Sequence, residues 1–248
     1  MNNQIEELMR INQPLKAWEL VKNTNHPLKQ DIYMKVKHAF EPSAYDKFYK
    51  EDLKETPFPL KFAYGCDRIV PRFSWLIDKI IKDGYQNILD IGCADGYLGL
   101  TLATLEILSV GLNLYQPSID IANERAKRRN LNFCKFICQD FMEYNKPHPA
   151  VVFFDIMEHL PDPQAGLKKA YDLVVPGGRL FISTPRNDHL GVDKNSEIFT
   201  EGAWNDGKPS GHLRLWTEEE FKDILKPYEV REFVTDITNN MLVEVEKK

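Results

Sequence analysis

From about residue 85 onward the chain follows one rhythm, short apolar runs alternating with stretches of helical period, and that rhythm restricts the architecture more than any other feature. NILDIG, ILSVGLNL, CKFICQD, AVVFFDI and GRLFIST have the length and the β-branched and aromatic content of strands. Between most of them stand YLGLTLATL, SIDIANERAKRRN and PQAGLKKAYDLV, which read as helices. Strands that alternate with helices form a mostly parallel sheet covered on both faces. After TEEEFKDILKP, where Thr217 and Glu220 are spaced as a capping box, YEVREFV and MLVEVEK bring the strand count to seven and are placed to pair as a hairpin. The fold class is therefore α/β.

Before residue 85 the reading is helical. IEELMRI, PLKAWELVK and HPLKQDIYMKVKHAF have apolar residues at helical spacing, ETPFPL at 55–60 is a Pro-rich break, and PRFSWLIDKIIKDG is a helix with Pro71 near its start and Gly84 as its stop. This divides the chain into a helical extension or lid at 1–65 and a main α/β domain at 66–248. With 248 residues and 43% hydrophobic content there is material for one large domain and a small appendage.

The net charge of −5 is spread along the chain, and its one basic run, Arg125 to Arg129, reads as the solvated face of a helix. A nonspecific grip on nucleic acid needs a basic face that releases counterions, so an RNA partner is disfavoured. No apolar h-region opens the sequence and no apolar run reaches the ~20 residues of a membrane span, so no membrane partner is expected. The four cysteines have no framework spacing; Cys134 and Cys138 alternate with Phe136 on one strand face and read as buried thiols. A reducing cytoplasm is the expected compartment. Oligomeric state is not legible.

NILDIGCADGYLG carries the sharpest signal. A strand delivers Asp90 to its carboxyl end, and Gly92, Ala94 and Gly96 follow at alternate positions before a helix. Small residues there let backbone approach a ligand beside unpaired helix N–H groups. This pattern resembles the first motif of the class I S-adenosylmethionine-dependent methyltransferases, and the likeness runs from about residue 70 to the C-terminus. It implies a Rossmann-like sheet and a turn from Asp90 through Gly92, Cys93, Ala94, Asp95 and Gly96 to Tyr97 around the methionine part of the cofactor. It also implies Asp140 and Phe141 of CQDF at the adenine, and VPGGRLFIST as the turn and strand after the fourth helix. Where the family has Asp or Glu for the ribose hydroxyls, this chain offers Asn113, followed by Leu114. Asn accepts through its amide oxygen but carries no charge, which keeps a cofactor-binding, non-catalytic protein in view.

FFDIMEHLPDP, residues 153 to 163, ends an apolar run with Asp155, Glu158 and His159. One helical turn would place them on a common side, a set suited to Mg2+, Mn2+ or Zn2+. The competing reading is a metal-free pocket wall, with His159 or His212 as general base. STPRNDHL followed by SGHLRLWTEEEF resembles the small-RNA 3′-terminal 2′-O-methyltransferases, and the likeness makes His212 a fourth metal ligand. EHLPDP equally resembles the ubiquinone-pathway O-methyltransferases. The reaction expected is methyl transfer to a hydroxyl of a small molecule with adjacent oxygens, a sugar or other vicinal diol, with metal assistance as an addition and an RNA 2′-hydroxyl as the alternative acceptor.

Overall fold

The structure is a computed structural model, and it describes residues 2–10, 70–187, 214–236 and 240–248, with 204, 205, 208, 209 and isolated positions between 17 and 32. Helix α1 (Asn2–Arg10) is followed by α2 (Val70–Lys82), β1 (Asn87–Ile91), α3 (Tyr97–Thr104), β2 (Leu108–Asn113), α4 (Gln116–Arg128), β3 (Cys134–Cys138) and β4 (His148–Phe154). A single 3₁₀ turn (Met157–His159) leads to α5 (Pro163–Asp172) and β5 (Val174–Pro185). A two-residue ladder of β6 (Trp204–Asn205) and β7 (Lys208–Pro209), helix α6 (Glu218–Leu225), β8 (Glu229–Thr235) and β9 (Asn240–Glu246) complete the order.

The seven long strands form one sheet in the order β3-β2-β1-β4-β5-β9-β8. Pairing is parallel from β3 to β5, and β9 runs antiparallel to both of its neighbours. The expected hairpin of the last two strands is present, but its second strand is interior and its first is the edge.

The apolar runs follow from burial on both faces. In β1 and β4, Leu89, Ile91, Val151 and Phe153 pack into the cluster that holds α5 and α6, while Ile88, Ala150 and Val152 pack against α2 and α3. With neither face wet, alternation disappears and a continuous hydrophobic strand results. The helix ends match their sequence signals. Thr217 and Glu220 form a reciprocal capping box, Asp162 accepts from the Ala165 N–H at 3.0 Å, and Gly84 beyond α2 has φ +72°.

Two surface readings change. Cys138 is exposed and Cys134 only half-buried, because β3 is an edge strand and only Phe136 between them is covered. Arg125 does not join its basic neighbours in solvent; it folds back onto the turn after β1. Most of the 1–65 extension, with its aromatic residues, lies outside the described residues, and so do Asp188, His189 and His212.

Candidate active site

Chain order reverses between β1 and β4, and in such sheets the crevice at the carboxyl ends of the strands receives the ligand. Register brings the candidate residues to that rim: Ile91 stands opposite both Leu112 and Phe153, and Phe154 opposite Ser183. Asp90, Asn113, Asp155 and Thr184 thus come from four neighbouring strand ends.

The turn after β1 is wound through left-handed backbone at Gly92 (φ +77°), Ala94 (φ +47°) and Gly96 (φ +86°). Glycine is required there for packing as much as for conformation. A Cβ on Gly92 would lie 2.0 Å from the Ile156 side chain, and one on Gly96 2.8 Å from Ala122 and Phe136. The clearance expected for a ligand is thus taken up at these Cβ positions by the protein itself. Gly92 and Cys93 donate their N–H groups to the Leu112 carbonyl and Gly96 donates to that of Cys93, so what the turn leaves to a ligand is the N-terminal end of α3.

Asp90 is 7% exposed, no side chain among the described residues pairs with it, and burial pushes its carboxyl up to about 7. The Cys93 thiol is buried and pushed well above its ordinary value, first by desolvation and then by Asp90 and Asp95, so it stays protonated and inert. Asp95 is buried and turned onto Arg125, not into the crevice. Tyr97 begins α3, with the Arg125 guanidinium 5.7 Å from its ring centroid.

At the end of β2 the Asn113 amide oxygen accepts from the Leu114 N–H at 3.0 Å. That bond fixes the amide's orientation, because only its oxygen can accept from a backbone N–H. Nδ2 is buried and has no partner among the described residues. Leu114 itself is 40% exposed. At the end of β3, Asp140 accepts from the Met142 N–H at 2.9 Å, which shapes the turn, whereas the Phe141 ring is buried 5.5 Å from that of Phe153 in the main core. A Phe141 contact to a ligand therefore falls to its backbone.

The acidic stretch is arranged differently from one helical turn. Asp155 precedes the 3₁₀ turn and adopts φ +54°, an uncommon conformation for a residue with a side chain. Arg72 of α2 forks onto both of its oxygens, at 3.2 and 2.9 Å, and the Ser183 hydroxyl donates to Oδ1 at 2.5 Å. Glu158 is fully buried; the Thr184 hydroxyl donates to its Oε2 at 3.1 Å, and Oε1 has no partner among the described residues. Burial, and then the neighbouring Asp155, raise its carboxyl well above the ordinary range. His159 closes the turn, half-buried.

The expected metal set is described only in part, since His212 lies outside the described residues. Asp155 is engaged by a guanidinium, burial and Asp155 disfavour the ionised form of Glu158, and among the described residues no three His, Cys, Asp or Glu side chains gather to hold a metal ion. Ser183 and Thr184 were not among the residues expected at the site; the STP at the end of β5 was the available signal.

A family profile described as a methyltransferase domain matches residues 60–229, well over half of the chain. The chain belongs to that family, with the class I S-adenosylmethionine-dependent fold. Among characterised relatives, the ubiquinone biosynthesis O-methyltransferase of Coxiella burnetii is 32% identical over 116 residues, covering 46% of this chain and 49% of that protein. The enzyme of the same description from Glaesserella parasuis is 24% identical over 181 residues, covering 66% and 72%. The alignment with the first of these thus spans about half of that relative's length. Among solved structures, magnesium protoporphyrin IX methyltransferase from Synechocystis with bound SAH superposes with a TM-score of 0.64 at 18% identity, over 87% of this chain and 99% of that one. The [4+2]-cyclase SpnF superposes at 0.56 with 18% identity, over 71% and 79%. At such identities the likeness is one of fold, and the cyclase is a reminder that the fold alone does not fix the chemistry.

No helix among the described residues is long and apolar enough to cross a membrane.

Proposed function

We propose that the chain transfers a methyl group from S-adenosylmethionine to a hydroxyl of a small molecule, with an acceptor that carries adjacent oxygens, such as a catechol or a sugar. The observation that carries this reading is the division of one rim between two chemistries. On one side stand the N-terminal end of α3 at the 92–97 turn, the buried Asp90 and Asn113; on the other, His159 and the Arg72–Asp155–Ser183 group. The resemblance to ubiquinone biosynthesis O-methyltransferases supports oxygen as the acceptor atom. S-adenosylmethionine, when bound, supplies a methyl group activated by a sulfonium.

The chain's own residues do the rest. Asp90, Asn113 and the turn bind and orient the donor, and Asp140 and the Phe141 backbone border its base. The Arg72–Asp155 pair fixes the end of β4, so the 3₁₀ turn presents His159 at the acceptor side. His159 takes the hydroxyl proton at a ring nitrogen. This proposal does not require divalent-metal assistance, since Asp155 is engaged by Arg72 and Ser183, and turnover that survives EDTA is the outcome it implies. Free thiols at Cys93, Cys134 and Cys138 suit a reducing compartment such as the cytoplasm.

The test is transfer of a labelled methyl group to catechols, sugar nucleotides and short RNA, beside calorimetry with S-adenosylhomocysteine. Binding of the nucleoside, turnover of a small hydroxylated acceptor, and loss of roughly 10²–10⁴-fold in kcat for a folded His159→Ala are expected. Absence of nucleoside binding would leave the proposal without its donor. Salt-dependent turnover of RNA alone would move the acceptor class, and binding without transfer to any acceptor would make the chain a non-catalytic binder.

A further inference from the structure

Arg125 lies on α4, outside the strand ends that form the crevice, yet its guanidinium is engaged at the centre of the cofactor turn. Its Nη1 donates to Asp95 Oδ2 at 2.6 Å and to the Asp95 backbone carbonyl at 3.2 Å. The Asp95 side chain is 3% exposed and that of Arg125 17%. The same guanidinium lies over the Tyr97 ring, two residues further on. One cation therefore grips a side chain, the backbone of the same residue and the first residue of α3.

The turn it grips needs holding. Ala94, immediately before Asp95, is left-handed at φ +47°, and Gly96, immediately after it, at φ +86°. A non-glycine residue in that region is strained and persists where its surroundings over-determine it. Two flanking left-handed positions also decide where the N–H groups of the turn point, which is how such turns become concave binding surfaces. A buried ion pair is by itself a weak source of stability, since desolvation offsets the attraction, so its worth lies in the conformation it specifies.

We infer that Arg125, through Asp95, is a positioning residue that holds the 92–97 turn in its ligand-binding conformation. This rests on the proposed function only in taking that turn as the seat of the methyl donor. Loss of the clamp lets the turn relax towards ordinary right-handed or extended backbone, and the affinity of the site falls while the sheet beneath it stays intact. Lysine at 125 keeps the charge but is shorter and lacks the flat guanidinium that lies over the Tyr97 ring, so it restores only part of the effect.

The experiment is calorimetric titration of the full chain with S-adenosylhomocysteine, with thermal unfolding of the unliganded protein recorded in parallel. Wild type is compared with Arg125→Lys, Arg125→Gln, Asp95→Asn and the double variant Asp95→Asn/Arg125→Gln. Arg125→Gln and Asp95→Asn are each expected to raise the Kd by on the order of tenfold to a hundredfold, as small misplacements of a binding constellation do. Arg125→Lys falls between these and wild type, and the double variant is no weaker than the weaker single variant, because both residues act through one contact. A purely structural pair would lower the melting temperature of every variant while the folded protein kept its affinity. A Kd within twofold of wild type in folded Arg125→Gln, or losses that add in the double variant, would overturn the inference. Should Arg125→Gln not fold, the near-isosteric Asp95→Asn decides in the same way. Wild type that binds no S-adenosylhomocysteine overturns the proposed function and this inference with it, whereas binding that is indifferent to the variants overturns this inference alone.

Discussion

Asp90 couples ligand chemistry to the stability of the fold in a way that one substitution exposes. Burial without a partner raises its carboxyl from an ordinary 3.8 to about 7. Below about pH 4 the folded and unfolded chains both hold the proton, and Asp90 contributes no difference. As pH rises from 4 to 7 the unfolded chain releases the proton while the fold retains it, so stability falls; above about 7 both are ionised and the loss is complete. The displacement corresponds to about 4 kcal/mol at most. Asparagine at this position keeps the shape and removes the titration. Asp90→Asn is therefore expected to melt with wild type near pH 4.5 and well above it at pH 8, by roughly 10 °C for a chain of this length. Thermal unfolding at the two pH values and one ionic strength measures this directly. The same variant should bind S-adenosylmethionine poorly, while wild type binds this cationic ligand more tightly as pH rises through about 7. A variant no more stable at pH 8 than at pH 4.5, relative to wild type, would refute the reasoning.

Two other perturbations follow from the same interior. Asn113 spends its oxygen on the Leu114 N–H, so Asn113→Asp adds an acceptor for ribose hydroxyls and is expected to tighten S-adenosylhomocysteine binding severalfold by calorimetry, about 1 kcal/mol; equal or weaker binding would remove Asn113 from the ribose site. His148 is 5% exposed, bonds Tyr144 and Asn87 at 3.0 and 2.9 Å, and is held neutral because burial lowers its pKa. Its contribution is whole above pH 6.5 and shrinks as pH falls below that, so wild type should exceed His148→Gln most at pH 7–8 and least in acid; a margin independent of pH in urea melts would contradict this.

What was legible in the sequence was whatever short-range physics writes there. The two-sided burial of β1 and β4 leaves continuous apolar runs, and the Thr217–Glu220 box and Gly84 announce helix ends, so the α/β alternation reads directly. Features set by distant contacts do not. Arg72 meets Asp155 across 83 positions, and nothing local in PRFSWL says that its guanidinium reaches the end of β4. RAKRR looks uniformly solvated because helical periodicity gives the direction of a side chain and not what stands opposite; Asp95, 30 residues earlier, takes Arg125 out of the run. Asn113 was visible as a departure from an acidic position, but which end of its amide faces away from the chain depends on a bond to its own neighbour. Spacing placed Asp155, Glu158 and His159 on one helical turn; the left-handed backbone at Asp155 and the 3₁₀ turn after it replace that turn, and neither follows from spacing.

The position of β9 bears on how the protein is made. It is last of the seven strands to leave a ribosome, yet it stands between β5 and β8. Until it arrives, β8 has no neighbour and the apolar residues of β5 that pair with Val243 and Val245 have an open side. The nascent chain must wait with that edge exposed, through the synthesis of everything between residues 185 and 240, before its sheet can close. Until β9 pairs, that open edge is where the unfinished chain is most exposed to association with other strands.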